Sequence, residues 1–204
     1  MENSFQTEQD VPRYESIAEL AENVVYRVPG CDDLMIRKTL QEVYRDFCRR
    51  SCALRTVCKV KSPSIVSACA MTPDCEVVSI ASVSLNGHRL EEGRHYRVTS
   101  CHIEFKRRPY DLDDESECEI VQVEVPKMGA ERAPREFISR YGEYIVSGTL
   151  MRLMRMTGKA WSDPQQAQDE AINYENGLNK ARLAYYQGSD YANNALRADG
   201  ESAL

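Results

Sequence analysis

Two kinds of hydrophobic periodicity divide the chain: apolar residues recur at helical spacing in its first quarter and last third, and at alternate positions between. The pattern predicts helices, then strands, then helices. Residues 1–15 are polar and aperiodic, a flexible N-terminal arm. Ser16 stands three residues before Glu19, a capping-box spacing, and Ile17, Leu20, Ala21, Val24 and Val25 follow at helical intervals. Val28-Pro29-Gly30 breaks that helix. Asp32 or Asp33 then caps a second one, whose apolar stripe is Ile36, Leu40, Val43, Tyr44 and Phe47 and whose end carries Arg45, Arg49 and Arg50.

From residue 57 to residue 129, β-branched residues and alternation predict a β module of four to six strands. One strand runs from Glu76 to Leu85 into Asn86-Gly87, a pair suited to a tight hairpin turn, and pairing resumes near Leu90. A strand from Tyr96 to Phe105 and another from Glu119 to Val125 complete the expectation. After Ala133-Pro134, with the proline expected at the first helical position, a helix carries Phe137, Ile138, Tyr141, Tyr144 and Ile145 to Met154, and Ser147 and Gly148 allow a neighbour to approach. Asp163 and Pro164 start the final helix, with Ala167, Ala171, Tyr174, Leu178, Ala181 and Tyr185 on one face. Gly188 reads as its stop, and residues 188–204 as an extended C-terminal tail.

The fold class expected is therefore α+β: a helical bundle core (residues 16–56 and 130–187) with the β module inserted between core helices. Its central side chains are Ile36, Leu40, Tyr44, Phe47, Tyr141, Ile145, Tyr174 and Leu178.

Composition narrows the function. In 204 residues, 42% hydrophobic and 28% charged, there is room for one main domain. A net charge of −6 disfavours tight duplex binding, which needs clustered Lys and Arg. Glu2, Glu8 and Asp10 stand where a secretory signal needs basic residues and then an apolar stretch, so synthesis in the cytoplasm and reduced cysteines are expected, with no membrane partner.

Metal chemistry finds poor spacing. Cys48, Cys52, Cys58, Cys69 and Cys75 form no short-spaced pairs, and His88, His95 and His102 share no vertex. The acidic run Asp111, Asp113, Asp114, Glu115, Glu117, Glu119 has Ser116 where a calcium loop needs glycine and Gln122 where it needs glutamate, so it reads as a solvated loop. Cys101 and His102, neighbours on one strand, face apart. No nucleophile elbow, phosphate loop or zinc-helix motif occurs. No catalytic residue, metal site or cofactor is assigned, and no enzyme activity is expected.

The last third carries a resemblance. Tyr141-Gly-Glu-Tyr-Ile-Val-Ser-Gly-Thr-Leu-Met-Arg-Leu, then Gly158-Lys-Ala-Trp-Ser-Asp-Pro, then Ala167 to Tyr185, resembles the adaptor, or head-to-tail connector, proteins of tailed bacteriophages. The helix from Ile36 to Arg50 looks like that family's first core helix, and the hairpin from Ser84 to Leu90 resembles its intervening strands. The likeness covers most of residues 33 to 187. The abundance of cysteine and the acidic loop depart from it.

The resemblance implies a virion structural protein at the head-to-tail interface: a homo-oligomer, commonly a dodecameric ring, beneath the portal protein and above tail or nozzle components. DNA would pass through its lumen without sequence-specific binding, and an acidic lining would let it slide. The C-terminal extension would dock on the portal, with Tyr191, Leu196 and Leu204 as anchors. The alternatives are a tail terminator or stopper ring protein, or a small phage-encoded metal-dependent hydrolase.

Overall fold

The computed structural model describes residues 14–61, 65–67, 74–99, 102–106 and 117–200, with backbone alone at 61, 65–67 and 187–200. It is a mixed α and β protein with antiparallel sheets. Strand β1 (Tyr14–Ser16) leads into a single 3₁₀ turn, where the Ser16 hydroxyl accepts the Ala18 amide at 3.2 Å, and then into α1 (Leu20–Val25). Asp32 starts α2 (Asp33–Ser51): its carboxylate accepts the amides of Leu34 at 2.9 Å and Met35 at 3.2 Å, satisfying two donors that a helix start leaves open. Cys52, at a left-handed φ of 54°, ends the helix and returns its amide to the Cys48 carbonyl at 3.0 Å.

The strands that follow are β2 (Arg55–Lys61), β3 (Ile65–Ser67), β4 (Cys75–Leu85), β5 (His88–Arg89), β6 (Tyr96–Thr99), β7 (His102–Phe105), β8 (Glu117–Pro126) and β9 (Arg132–Pro134). They form three sheets of order β1-β9, β2-β8-β4-β5 and β3-β7-β6. β8 is flanked by β2 and β4, so its backbone is paired on both edges, while two register shifts in β4, after Val77 and after Ile80, add local twist. Asn86 and Gly87 take φ values of 48° and 81°, the left-handed pair that a two-residue hairpin turn requires.

Several expectations change. Tyr96 to Phe105 is not one strand: β6 and β7 pair antiparallel with Thr99 opposite His102, so the chain reverses between them. Alternation cannot reveal this, because it continues across a tight reversal. Cys101 lies outside the described residues, and the argument that placed it on one strand with His102 lapses. Glu117 and Glu119 belong to β8, not to a solvated loop, and both lie against Lys59 across the ladder, at 3.4 Å and 3.1 Å. The rest of the acidic run is outside the described residues. Pro134 is the last residue of β9 and the N-cap of α3 (Arg135–Met154), one place earlier than expected, because its extended backbone pairs with Tyr14. The final helix, α4 (Pro164–Gly200), passes Gly188 without stopping. A helix-interior glycine costs only about 1 kcal/mol, and Ala192, Ala195, Leu196, Arg197 and Ala198 favour helix on its far side.

Two apolar cores result. α1, α2, α3 and α4 enclose the first, which contains all eight side chains expected at the helical centre, from Ile36 to Leu178. Val83, Tyr96, Ile103, Cys118 and Ile120 belong to the second, between the faces of the two larger sheets. Arg27 and Glu170 form an ion pair that ties the loop after α1 to α4, with the Glu170 side chain almost wholly buried.

α3 and α4 run antiparallel and approach closely at two glycines. A Cβ on Gly148 would fall 2.6 Å from Tyr174 and 2.7 Å from Val43, and one on Gly177 would fall 2.2 Å from Tyr144. Each helix thus offers a notch for a tyrosine of the other. Replacing Gly177 by alanine gains helix propensity but forces the Tyr144 ring out of its seat, and overpacking of this kind outweighs the gain. Gly177→Ala should therefore lower stability by about 2 kcal/mol, seen as a melting temperature about 4–8 °C lower in thermal denaturation followed by circular dichroism.

Candidate interaction surface

The helices meet the solvent through a web of charge on one side. Asp46 of α2 accepts a hydrogen bond from the Tyr174 hydroxyl of α4 at 2.9 Å and lies 3.6 Å from both Arg50 and Arg152. Arg152 of α3 also reaches Glu42 at 3.3 Å, and Arg50 donates to Glu175 of α4 at 2.6 Å. Arg182 closes the chain by donating to the Arg50 carbonyl at 3.0 Å. Burial, then the charge of Asp46 and the hydrogen bond donated to it, holds the Tyr174 hydroxyl far above the ordinary phenol range. Desolvation pulls Arg50 down, but the hydrogen bond and charge of Glu175 outweigh it, so this guanidinium stays charged. Of the web, only Asp46 and Arg50 were within reach of sequence reading, as an i, i+4 pair.

Arg49, beside the web, has no ion-pair or hydrogen-bond partner among the described residues. With Arg45, Arg152 and the exposed Met128 it lines a shallow concavity of about 180 Å³. A second hollow, a groove of about 200 Å³, separates the start of β2 from α3 and α4; Leu54, Phe137, Tyr141 and Ala181 line it, with Arg55 and Arg140 among its charged residues. The Arg55 guanidinium sits 4.9 Å from the centre of the Tyr185 ring.

The outward side of α4 is more apolar than a solvated helix face requires. Ile172, Leu183 and Tyr186 are 56%, 57% and 62% exposed. At 3.6 residues per turn these positions fall within an arc of about 60°, a stripe opposite the buried face. Farther along, Tyr191 and Leu196 lie on the backbone of α4 but their side chains are outside those described, and Leu204 lies outside the described residues altogether.

The candidate metal ligands are dispersed. His88 is in β5 and His102 in β7, both exposed, while His95 precedes β6 and its Nδ1 accepts the Glu91 amide at 2.9 Å. Among the described residues no three His, Cys, Asp or Glu side chains come together as a metal site. Cys31, Cys48, Cys52, Cys58, Cys75 and Cys118 are free thiols, and Cys69 is outside the described residues. Cys48 and Cys75 are buried with the Tyr44 phenol in the first core. Nearby, the fully buried Glu124 carboxylate accepts hydrogen bonds from the Thr56 hydroxyl at 2.6 Å and from the Gln122 amide at 2.9 Å.

Burial, then the charge of Glu124, pushes the Cys75 thiol up to about 12, and burial pushes Cys118 up to about 11 and Cys48 well above its ordinary value. A thiol held protonated is a poor nucleophile. Iodoacetamide at pH 8, read by peptide mass mapping, should label the half-buried Cys52 well before Cys48, Cys75 or Cys118. The same shifts set an alkaline limit. Above the free-thiol value of 9.0 the unfolded chain loses these protons while the folded one keeps them, so the stabilisation present below 9.0 is lost as pH rises toward about 11 to 12. Melting temperatures measured from pH 8 to pH 11 should fall across that window, and less steeply in Cys75→Ala.

No helix among the described residues is long and apolar enough to cross a membrane. No protein-family model and no curated protein matches this chain.

Proposed function

We propose that the chain is a structural subunit of a tailed-phage particle, an adaptor that assembles into a ring beneath the portal and joins head to tail. The observation that carries this reading is the disproportion between α3 and α4. α3 has 20 residues and α4 has 37, about 30 Å against about 55 Å. Ala184 of α4 already lies beside the first turn of α3, where both line the groove with Phe137, so the helix runs on past the start of its partner toward Gly200. A helix that outruns its own core is suited to reach a neighbour, and the exposed stripe of Ile172, Leu183 and Tyr186 supplies apolar surface for a subunit contact on the way.

The order of parts along the chain supports the same reading. A helical core, interrupted between α2 and α3 by strands and closed by a long last helix, is what the resemblance to connector proteins implies. In this arrangement the strands face tail components and residues 188–204 form the extension that docks on the portal, with Tyr191, Leu196 and Leu204 as its anchors. The net charge of −6 suits a conduit through which DNA slides, since carboxylates repel phosphates. The same arrangement of helices around inserted strands favours an adaptor over a tail terminator or stopper.

The test is to mix the purified chain with a portal ring and image the product by electron microscopy. A closed ring capping the portal is expected, and a chain that stays monomeric and unattached at micromolar concentration would overturn the reading. Removing residues 189–204 should weaken portal docking at least tenfold while the circular dichroism melt of the core is kept. Leu183→Glu, at an exposed position, should impair ring closure without lowering the melting temperature of the free chain.

A further inference from the structure

β2 ends its sheet. It pairs with β8 on one side, and no other described element runs along it. The ladder fixes which of its backbone groups are left over. The Leu54 carbonyl accepts the Glu124 amide at 2.9 Å, and bonded pairs alternate along an antiparallel ladder. Leu54, Thr56, Cys58 and Val60 therefore turn their amides and carbonyls toward β8. Arg55, Val57 and Lys59 turn theirs to the open side, where no described residue bonds them. Such an edge is a template for one more strand.

Side chains decide what that strand carries. Arg55, Val57 and Lys59 share one face of β2, and Val57 is 50% exposed. A second copy fits badly: two β2 edges paired antiparallel about Val57 set Arg55 of each opposite Lys59 of the other, and like charges directly opposed are destabilising. Lys59 lies against Glu117 and Glu119 of β8, whereas Arg55 has the Tyr185 ring beside it and no carboxylate partner among the described residues. The groove of about 200 Å³ opens at this end of β2, with Arg55 on one side and Arg140 of α3, also without an ion-pair partner among the described residues, on the other. Glu136 is the one carboxylate in its lining, which leaves the lining net positive. A hollow of this volume is smaller than the pockets that take drug-sized molecules and suits a single apolar side chain set on Leu54, Phe137 and Ala181. Two guanidinium groups at its rim complement a carboxylate carried next to that side chain.

We propose that the open edge of β2 is a docking site for an extended acidic segment of a partner protein. The segment pairs with Arg55, Val57 and Lys59 as an added strand, seats one apolar residue in the groove and sets a carboxylate against Arg55 and Arg140. Main-chain bonds supply affinity, and the two arginines select acidic sequences. The site uses only the edge and the groove, so it does not depend on ring assembly.

Fluorescence anisotropy of the full chain with a labelled peptide tests this. The probe alternates valine with glutamate and ends in leucine, and its control carries lysine for glutamate. Micromolar binding of the acidic peptide alone is expected, and Arg55→Glu and Arg140→Glu should each weaken it about tenfold. N-methylation of the peptide amides that face β2 should abolish binding, which a purely electrostatic contact would not show. Val57→Pro should do the same, because it removes an outward amide while the ladder to β8 keeps its bonds. On binding, amide exchange read by NMR should slow at Val57 and Lys59 and stay unchanged at Cys58 and Val60. Equal binding of the lysine peptide, no binding at millimolar concentration, or binding that leaves Val57 and Lys59 unprotected would overturn the proposal. So would protection of those amides that rises with protein concentration in the absence of peptide, since the edge would then belong to a second copy.

Discussion

The antiparallel contact between α3 and α4 is the constraint on which the rest of the helical half depends. Tyr174 sits over Gly148 and Tyr144 over Gly177, so each helix lends the other a notch and the two backbones come closer than paired side chains would allow. Tyr174 then reaches beyond Gly148 to touch Phe47, with ring centres 5.9 Å apart, and its hydroxyl ends on Asp46. One side chain thus joins α4 to α3 through shape and to α2 through a hydrogen bond. The aromatic cluster of Tyr44, Phe47, Phe137 and Tyr141 fills the space beneath with edge-on and tilted contacts, an arrangement that favours one set of rotamers over a fluid core.

The strands depend on a different constraint. β8 lies between β2 and β4, and its buried face carries both apolar residues and, at its helical end, Gln122 and Glu124. Those polar groups are tolerated at zero exposure because they hydrogen-bond to each other and to Thr56. This network lies where the two apolar cores come nearest, close to Tyr44, Cys48 and Cys75 of the first. Directional contact between helix and sheet comes from Arg45 of α2, which donates to the Pro126 carbonyl of β8 and pairs with Glu76 of β4 at 2.9 Å, so the sheet is held to the helices by more than burial. The surfaces left for partners follow from this division: the outward stripe of α4, the concavity beside Arg49 and the groove at the start of α3 all lie at the margins of the helical core.

Much of this was legible in the residues themselves, and the particular cases show why. The caps at Asp32 and Asp163, the hairpin turn at Asn86-Gly87 and the buried stripe from Ile36 to Phe47 were all readable, since each signal lies within four residues of what it specifies. The reversal between Thr99 and His102 was missed because alternation is blind to it, and the stop at Gly188 was inferred from a residue whose helix penalty is small beside the preferences of its neighbours. Of the candidate surface, the apolar residues of α4 were partly visible. Beyond the i, i+4 pair of Asp46 and Arg50, the ion-pair web was not, since Glu42, Asp46, Arg152 and Glu175 come from three helices.

By itself, then, the amino-acid sequence determined the helix–strand–helix order, how several elements begin and turn, and which face of the helices is apolar, because these follow from backbone preferences and short-range periodicity. Tertiary structure alone decided that β8 lies between β2 and β4, that Gly177 is a notch for Tyr144, and that Asp46 gathers Tyr174 and Arg152. Those contacts join residues far apart in the chain. Their existence depends on strand register and on the distance between helix axes, and no local spacing encodes either.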